Sequence, residues 1–319
     1  MMPGSMAEFL FDSILVLTLL AVALSILALR QAFAAVLAFV AYGLLLAIAW
    51  VRLGSVDVAL TEAAIGAGVT GVLLIAAASR LRRSMPVADE ASPGIPMRIA
   101  VGLLCATISV ALVAAVLHLP TPAPSQTLAA VANLPPTGLG NPVTGVLLAY
   151  RAIDTLLEAV VLVLVLLGDW SMAPDGQWGG RPGPRLAPEV NGPLGLLVSV
   201  LPPVGILIGV HIFWIGADMP GGAFQGGTIL GAMWILTWMA GRTAPPHTSS
   251  ERLRLVLVVG PTLFLAAGFG GIVFAEAFLA YPEGWAKPLI IGIEAALTVS
   301  IAAALGMLVA GWPSREAPR

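Results

Sequence analysis

Charged residues are scarce in this chain. Only 10% of its 319 residues are charged, whereas 59% are hydrophobic and the mean hydropathy is +0.98. A soluble protein of this length needs a larger polar surface than these residues can supply. The shortage of charge therefore excludes a soluble globular class and predicts a polytopic membrane protein.

Cysteine and histidine are rare as well. The single cysteine, Cys105, lies within an apolar run, so we expect neither a disulfide nor a thiolate metal site. The three histidines are far apart, and none has the spacing of a metal-ligand pair. No catalytic nucleophile, cofactor motif or basic nucleic-acid patch is recognisable. We therefore predict no catalytic residues, no metal, no cofactor and no nucleic-acid partner.

Apolar runs of membrane-spanning length make up most of the sequence. At about 20 residues for each span, they predict an all-α fold with nine transmembrane helices. The first run follows Glu8 without a basic segment or a small-residue cleavage site, which predicts a retained helix and not a signal peptide. The predicted spans lie near residues 8–29, 32–52, 56–79, 98–119, 142–168, 194–215, 222–240, 253–279 and 286–311.

Basic residues are unevenly divided between the alternating loops, which predicts the orientation of the chain. The loops on one side of the membrane contain only Arg52 and Lys287, and Arg151 falls inside a predicted span. Because cytoplasmic loops carry the excess of Lys and Arg, we expect the N-terminus outside and the C-terminus in the cytoplasm. The cytoplasmic set is Arg30, Arg80, Arg82, Arg83, Arg98, Arg181, Arg185, Arg242, Arg252, Arg254, Arg315 and Arg319.

The chain lacks a recognisable internal repeat. Polar connectors at 120–141 and 169–193 divide it, but the segments on either side do not resemble one another. Many self-sufficient secondary transporters are built from inverted repeats. The absence of a repeat therefore favours a subunit of a larger assembly.

One carboxylate lies inside the third predicted span. An ionised group at membrane depth costs about 2.5 to 3.5 kcal/mol on insertion scales, so Glu62 should be paired, neutralised or used. Ala63, Ala67 and Gly71 form a small-residue stripe that predicts close helix packing. Asp57, nearer the outer mouth, is interpreted as a solvated acid or one at a helix N-terminus. Glu62 is therefore a candidate functional residue, with a packing role as the alternative.

A second group of charges lies in the fifth predicted span. Arg151, Asp154 and Glu158 are spaced by three and then four residues, which places them on one helical face. Asp154 can neutralise Arg151, but Glu158 then needs a partner on another helix, a water-filled cavity or a proton. The alternative is a packing ion pair with a spare acid facing water.

A glycine-rich segment at 216–227 joins the sixth and seventh predicted spans. It contains Asp218, Pro220, Gly221 and Gly222, and its glycines allow positive φ and close backbone approach. Two interpretations are open: a broken or re-entrant element that lines a cavity, or a tight hairpin before a closely packed helix. The segment lacks the Lys-Ser or Lys-Thr ending of a phosphate loop.

Two further acids lie in the last two predicted spans. Glu294 falls well inside the ninth, whereas Glu276 falls near the outer boundary of the eighth. A carboxylate near the boundary can reach water, but one at depth needs a partner or a proton. We therefore rank Glu294 above Glu276 as a proton site.

These motifs resemble known membrane proteins. The run that begins Asp-Val-Ala-Leu-Thr-Glu at Asp57 is similar to the C-terminal part of the large A subunit of Mrp-type multisubunit Na+/H+ antiporters, and to the D subunit of membrane-bound hydrogenases. The run Tyr-Arg-Ala-Ile-Asp-Thr-Leu-Leu-Glu at 150–158 resembles the next, E-like element. The run Pro-Gly-Gly-Ala-Phe-Gln-Gly-Gly at 220–227 resembles the Mrp B subunit. The resemblance implies three units, at 1–85, 95–170 and 190–312.

The resemblance implies a membrane subunit of a complex-I-related cation (Na+)/proton antiporter in the prokaryotic cytoplasmic membrane. Its partners would be the other antiporter subunits and lipids, with Na+ and H+ as transported ions. We expect Glu62, Glu158 and Glu294 to be stations of the ion or proton path, with Arg151 and Asp154 biasing the charge of Glu158.

Two alternatives stay open at this point. In one, the subunit is structural, and its acids only pair across subunit contacts. In the other, it belongs to an energy-converting hydrogenase or another redox-driven or carbon-uptake complex. The chain has no intramembrane lysine, which predicts that it is not the main pump.

Overall fold

The first unit contains three helices of membrane-spanning length. The computed structural model describes residues 6–29, 31–84, 94–120, 124–183 and 192–314. Helix α1 covers Met6–Ala28 and α2 covers Ala32–Arg52. At the end of α2, Arg52 Nε lies 2.7 Å from Asp12 Oδ1. This contact joins α1 to α2 where both helices reach the same end of the unit.

The third helix of this unit changes its hydrogen-bonding pattern along its length. It begins as α3 (Val56–Thr61), passes through a π-helical segment (Glu62–Val69) and continues as α4 (Thr70–Ser84). The π segment packs against α2, where a Cβ at Gly43 would lie 3.0 Å from that of Ala67. Small residues thus allow the close approach that their spacing predicted.

Helix α5 (Ile95–Leu117) is apolar and has no buried residue. The connector that follows it contains the short α6 (Thr127–Ala132) and a 3₁₀ turn at Pro135–Thr137. An apolar helix without buried positions has its surface available to lipid or to other chains.

The middle unit begins with α5 and ends with a broken helix. The broken helix starts as α7 (Pro142–Gly145), continues as a π segment (Val146–Tyr150), and resumes as α8 (Ala152–Ser171) after Arg151, whose φ of -128° and ψ of 36° are not helical. A 3₁₀ turn at Asp175–Gln177 and the two-residue strand β1 (Arg181–Pro182) follow.

The last unit has four helices, and the last of them is central. These are α9 (Pro193–Ile215), α10 (Ala223–Met239), α11 (Glu251–Phe274) and α12 (Ala286–Ala310), followed by strand β2 (Pro313–Ser314), which pairs antiparallel with β1. Helix α12 is the most buried of them, and α8, α10 and α11 all contact it. The main core therefore follows α12.

The all-α, polytopic prediction is confirmed. Among the described residues, seven helices are long and apolar enough to cross a membrane. The predicted span at 142–168 is divided by the break at Arg151, and the predicted span at 222–240 is the 17-residue α10. The count of nine and the orientation of the termini stay predictions.

One predicted boundary was wrong by several residues. The eighth span was expected near 253–279, but α11 ends at Phe274. The cause is local backbone geometry, because Glu276 and Leu279 have φ of 64° and 62°. A left-handed conformation in residues other than glycine ends an α-helix.

Candidate functional site

A short loop between α9 and α10 is tied to both preceding units. The side-chain amide of Asn141, at the N-cap of α7, donates to Gly216 O at 3.2 Å and to Met219 O at 3.0 Å. The hydroxyl of Thr144 donates to Gly216 O at 2.5 Å. The Asn141 amide also lies 3.4 Å from Asp57 Oδ1. One asparagine thus links the first, middle and last units.

Glycine is required at the turn into α10. Gly221 has a φ of 157°, and its N–H donates to Asp57 Oδ1 at 3.0 Å. A Cβ at Gly221 would collide with the backbone carbonyl oxygen of Ile212. Gly222 has a φ of 140°, and its N–H donates to the same Ile212 oxygen at 3.1 Å. The loop therefore makes a tight turn into α10.

The same turn also contributes to a cavity. Gly221 and Gly222 line a cavity of about 490 Å³. Asp218 and Pro220 do not line it. Asp218 instead forms a bidentate ion pair with Lys287 Nζ, at 2.6 and 2.8 Å, in the first turn of α12.

The cavity brings together carboxylates from all three units. Asp57 comes from α3, Glu158 from α8 and Glu294 from α12. The polar groups of Thr144 and Gln225 also line it, among mainly apolar side chains. Two of the predicted acids, Glu158 and Glu294, therefore share one chamber with a third acid.

Glu294 is the most buried of these acids. The residue is only 3% exposed, and its Oε2 has no hydrogen-bond partner among the described residues. The carboxylate lies beside the start of α10, since a Cβ at Gly222 would be 3.3 Å from its Oε1. A buried carboxylate with a free oxygen can accept a proton or help to coordinate a cation.

Glu158 lies just beyond the break in the middle helix. The carbonyl groups freed by the break have partners, since Thr155 donates to Leu147 O at 2.7 Å and Tyr281 donates to Leu148 O at 2.8 Å. Burial raises the pKa of the Tyr281 phenol above its ordinary value, so this hydroxyl stays a donor. Because the freed carbonyl groups have hydrogen-bond partners, the irregular backbone at the break can line the cavity at membrane depth.

Arg151 and Asp154 form the ion pair that their spacing predicted. Arg151 Nη2 lies 2.6 Å from Asp154 Oδ2, and the two side chains are 70% and 40% exposed. Neither residue lines the cavity that contains Glu158. Because Arg151 is paired with Asp154, it does not neutralise Glu158 directly.

Glu62 lies beside the cavity but does not line it. It is the first residue of the π segment, and its carboxylate lies over Gly66, where a Cβ would collide with it. The preceding residue, Thr61, does line the cavity, and its hydroxyl accepts from Gln225 Nε2 at 2.9 Å. A π segment inside a membrane helix frequently marks a functional position.

Sequence reasoning missed Asp57 and Asn141 as parts of this site. Asp57 was interpreted as a solvated or helix-terminal acid, but its carboxylate holds the Gly221 amide. Asn141 precedes Pro142, which signals an N-cap, and its Oδ1 does accept from the Val143 N–H at 2.9 Å. That signal does not reveal the contacts of its amide group with the distant loop.

The described residues contain no group of three or more His, Cys, Asp or Glu side chains that could hold a metal ion.

Two family models match the sequence. The MbhD model, which describes the D subunit of MBH, matches residues 17–83. The MnhB model, which describes a domain related to the MnhB subunit of Na+/H+ antiporters, matches residues 193–313. These matches confirm the resemblance of the first and last units. A comparison with curated proteins gave no match.

Two solved structures share the fold. A chain of the Mrp complex from Dietzia sp. DQ12-45-1b is 23% identical with a TM-score of 0.72, and the match covers 96% of this chain and 35% of that chain. This chain therefore spans about a third of that relative.

The second structure is the membrane-bound sulfane sulfur reductase (MBS), an archaeal respiratory membrane complex. Its matching chain is 19% identical with a TM-score of 0.53, and the match covers 67% of this chain and 99% of that chain. The sequence thus matches the MbhD model at residues 17–83 and the model of a domain related to the MnhB subunit of Na+/H+ antiporters at residues 193–313.

Proposed function

We propose that this chain is a membrane subunit of a complex-I-related multisubunit antiporter, which exchanges a cation, Na+, for protons across a prokaryotic cytoplasmic membrane. The observation that carries the proposal is the cavity with Asp57, Glu158 and Glu294. Each acid comes from a different unit, and Glu294 has an oxygen without a partner in the described chain. The two family matches and the shared Mrp fold support the same function.

In this proposal Glu294 and Glu158 are successive stations for a proton or a cation. Each must be neutralised when ionised at membrane depth, and a transported ion can supply the missing charge. Glu62, on the π segment beside Thr61, is a third station at the edge of the cavity. The Arg151–Asp154 pair biases the charge of Glu158 from one turn away.

The path is completed by other subunits. Glu158 is exposed in the isolated chain although it lies in a membrane helix, and α5 has no buried residue. Other antiporter subunits and lipids would cover these surfaces in the complex. Because the chain has a single lysine, Lys287, at a helix start, the intramembrane lysines of a main pump would come from elsewhere.

The test is antiport by the intact complex with one acid changed. Glu158→Gln should slow Na+-driven proton movement in inside-out vesicles, while native gels show a complete complex. Asp218→Asn is the matched control, because Asp218 is a carboxylate outside the cavity. Normal antiport by Glu158→Gln would contradict the proposed path. Loss of the complex in that variant would favour the structural alternative.

A second candidate function is favoured by the MBS likeness and by the MbhD match. In that case the same cavity would serve a membrane subunit of a redox-driven complex. The discriminating measurement is the composition of the purified complex. Co-purifying antiporter subunits without iron would support antiport, whereas iron–sulfur or hydrogenase-like subunits would support the redox-driven alternative.

A further inference from the structure

A second cavity lies between three helices of the last unit, and none of its lining residues lines the acidic cavity. It has a volume of about 460 Å³. Leu230 and Trp234 of α10 form one wall, and Leu253 and Val256 of α11 form the other. Helices α10 and α11 both pack against α12, whose small Ala302 lies at the floor. We call this cavity the α10–α11 groove.

The α10–α11 groove has one polar end. Ser250 and Arg252 line it at the start of α11, and the apolar residues continue from Leu253 into the helix. Ser250 is the N-cap residue of α11, but its side chain makes no capping hydrogen bond. A groove with a cation at a helix end and an apolar interior matches the polarity of a lipid at the membrane boundary.

Arg252 is the cation available for this end. Among the neighbouring arginines, Arg242 donates to Ser199 Oγ at 3.3 Å, and Arg254 donates to Thr248 O at 3.1 Å. Within the described part of the chain, Arg252 is exposed and makes no hydrogen bond or ion pair. The guanidinium group can therefore bind an oxyanion such as a phosphate.

The size of the α10–α11 groove argues against a protein helix as its occupant. A helix with side chains is about 10 Å or more across, so a volume of 460 Å³ would hold only about 6 Å of its length. A linear acyl chain needs a much narrower space. We propose that the groove binds one anionic phospholipid, with an acyl chain between Trp234 and Val256 and the phosphate group at Arg252 and Ser250.

This site is independent of the acidic cavity and of the proposed transport. Its residues come only from the last unit, none of them lines the acidic cavity, and its polar end lies at the start of α11. The charge bias of the loops predicts that this end faces the cytoplasm, where anionic headgroups attract basic residues by about 1 kcal/mol for each one.

Trp234 provides a direct probe of occupancy. The purified complex would be placed in phosphatidylcholine vesicles that contain a fixed fraction of brominated lipid, either phosphatidylglycerol or phosphatidylcholine. Bromine atoms quench a nearby indole, and the Trp234 contribution is the signal lost in Trp234→Phe. We expect about a fivefold preference for brominated phosphatidylglycerol at this tryptophan, which is the ratio equivalent to about 1 kcal/mol.

Variants of Arg252 and Ala302 test the role of the charge and the role of the apolar groove separately, and a variant of Arg242 is the control. Arg252→Gln should make the two brominated lipids equally effective, whereas Arg242→Gln, a matched loss of charge at the same end, should keep the preference. Ala302→Leu should reduce quenching of Trp234 by both lipids, because the larger side chain fills the floor. Equal quenching by both lipids in the unmodified complex would overturn the proposal. Absence of Trp234 quenching would also overturn it, since protein would then cover the groove.

Discussion

The sharpest test of the acidic cavity is Glu294→Gln, which keeps the shape of the side chain and removes its charge. The residue is 3% exposed, and its Oε2 has no partner among the described residues. Gln has nearly the same size as Glu and keeps one carbonyl oxygen as an acceptor. Its new amide donor would lack a partner, at a cost of about 1 to 3 kcal/mol. We therefore expect the complex to assemble with a modest loss of stability.

The effect on transport should be larger than the effect on stability. Without the carboxylate, an ion that passes this point loses a counter-charge, and an uncompensated charge at membrane depth costs about 2.5 to 3.5 kcal/mol. At 1.36 kcal/mol for each factor of ten, this corresponds to a rate lower by about 70- to 400-fold. Asp57 and Glu158 line the same cavity and offset part of the loss. We therefore expect antiport to fall by at least about tenfold.

The assay is Na+-dependent proton movement in inside-out vesicles, followed with a pH-sensitive dye. Glu276→Gln is the matched control, because Glu276 is an exposed acid past the end of α11 and outside the cavity. The complex is quantified on native gels for both variants. Antiport at the unmodified rate in an intact Glu294→Gln complex would refute the assignment of this residue to the path.

The other predictions concern the path and the turn beside it. Glu158→Gln should slow antiport more than Glu62→Gln, because only Glu158 lines the cavity; equal effects in the vesicle assay would contradict this order. Gly221→Ala should lower the free energy of unfolding by about 1 to 3 kcal/mol, because residue 221 has a positive φ and its Cβ would collide with α9. Gly292→Ala is the control and should leave that free energy unchanged, since a Cβ there meets no atom within 4 Å. Thermal unfolding of the purified complex compares the two variants. Asn141→Ala should lower that free energy by about 1 to 3 kcal/mol because buried carbonyl groups lose their donor; an unchanged unfolding midpoint would exclude this role.

Local features of the sequence predicted the helices and several contacts correctly. Apolar length is enough to find a membrane helix, which is why most span boundaries agree closely with the structure. The i,i+3 spacing of Arg151 and Asp154 is a property of one helix, and it predicted their ion pair. The depth of Glu294 within its run predicted that it would be more buried than Glu276.

The interruptions of the helices could not be predicted in the same way. The run at 142–168 is uniformly apolar apart from its charged face, yet its helix breaks at Arg151. The break is stable because Tyr281, from the loop before α12, supplies a donor to Leu148 O. A hydrogen-bond donor more than a hundred residues away produces no recognisable pattern in the sequence of the broken helix itself. The same reasoning applies to Asp57, whose role depends on the Gly221 amide.

The acids become a single site only through contacts between the units. Asp57 holds the Gly221 amide, the next two residues place the Ala223 backbone against Glu294, and Asn141 fixes the loop to the broken helix that carries Glu158. Groups that share partners in this way respond to substitution together. The transport defects of Asp57→Asn and Glu294→Gln should therefore be smaller in combination than the product of the two separate effects. If the acids instead served separate subunit contacts, the two effects would multiply.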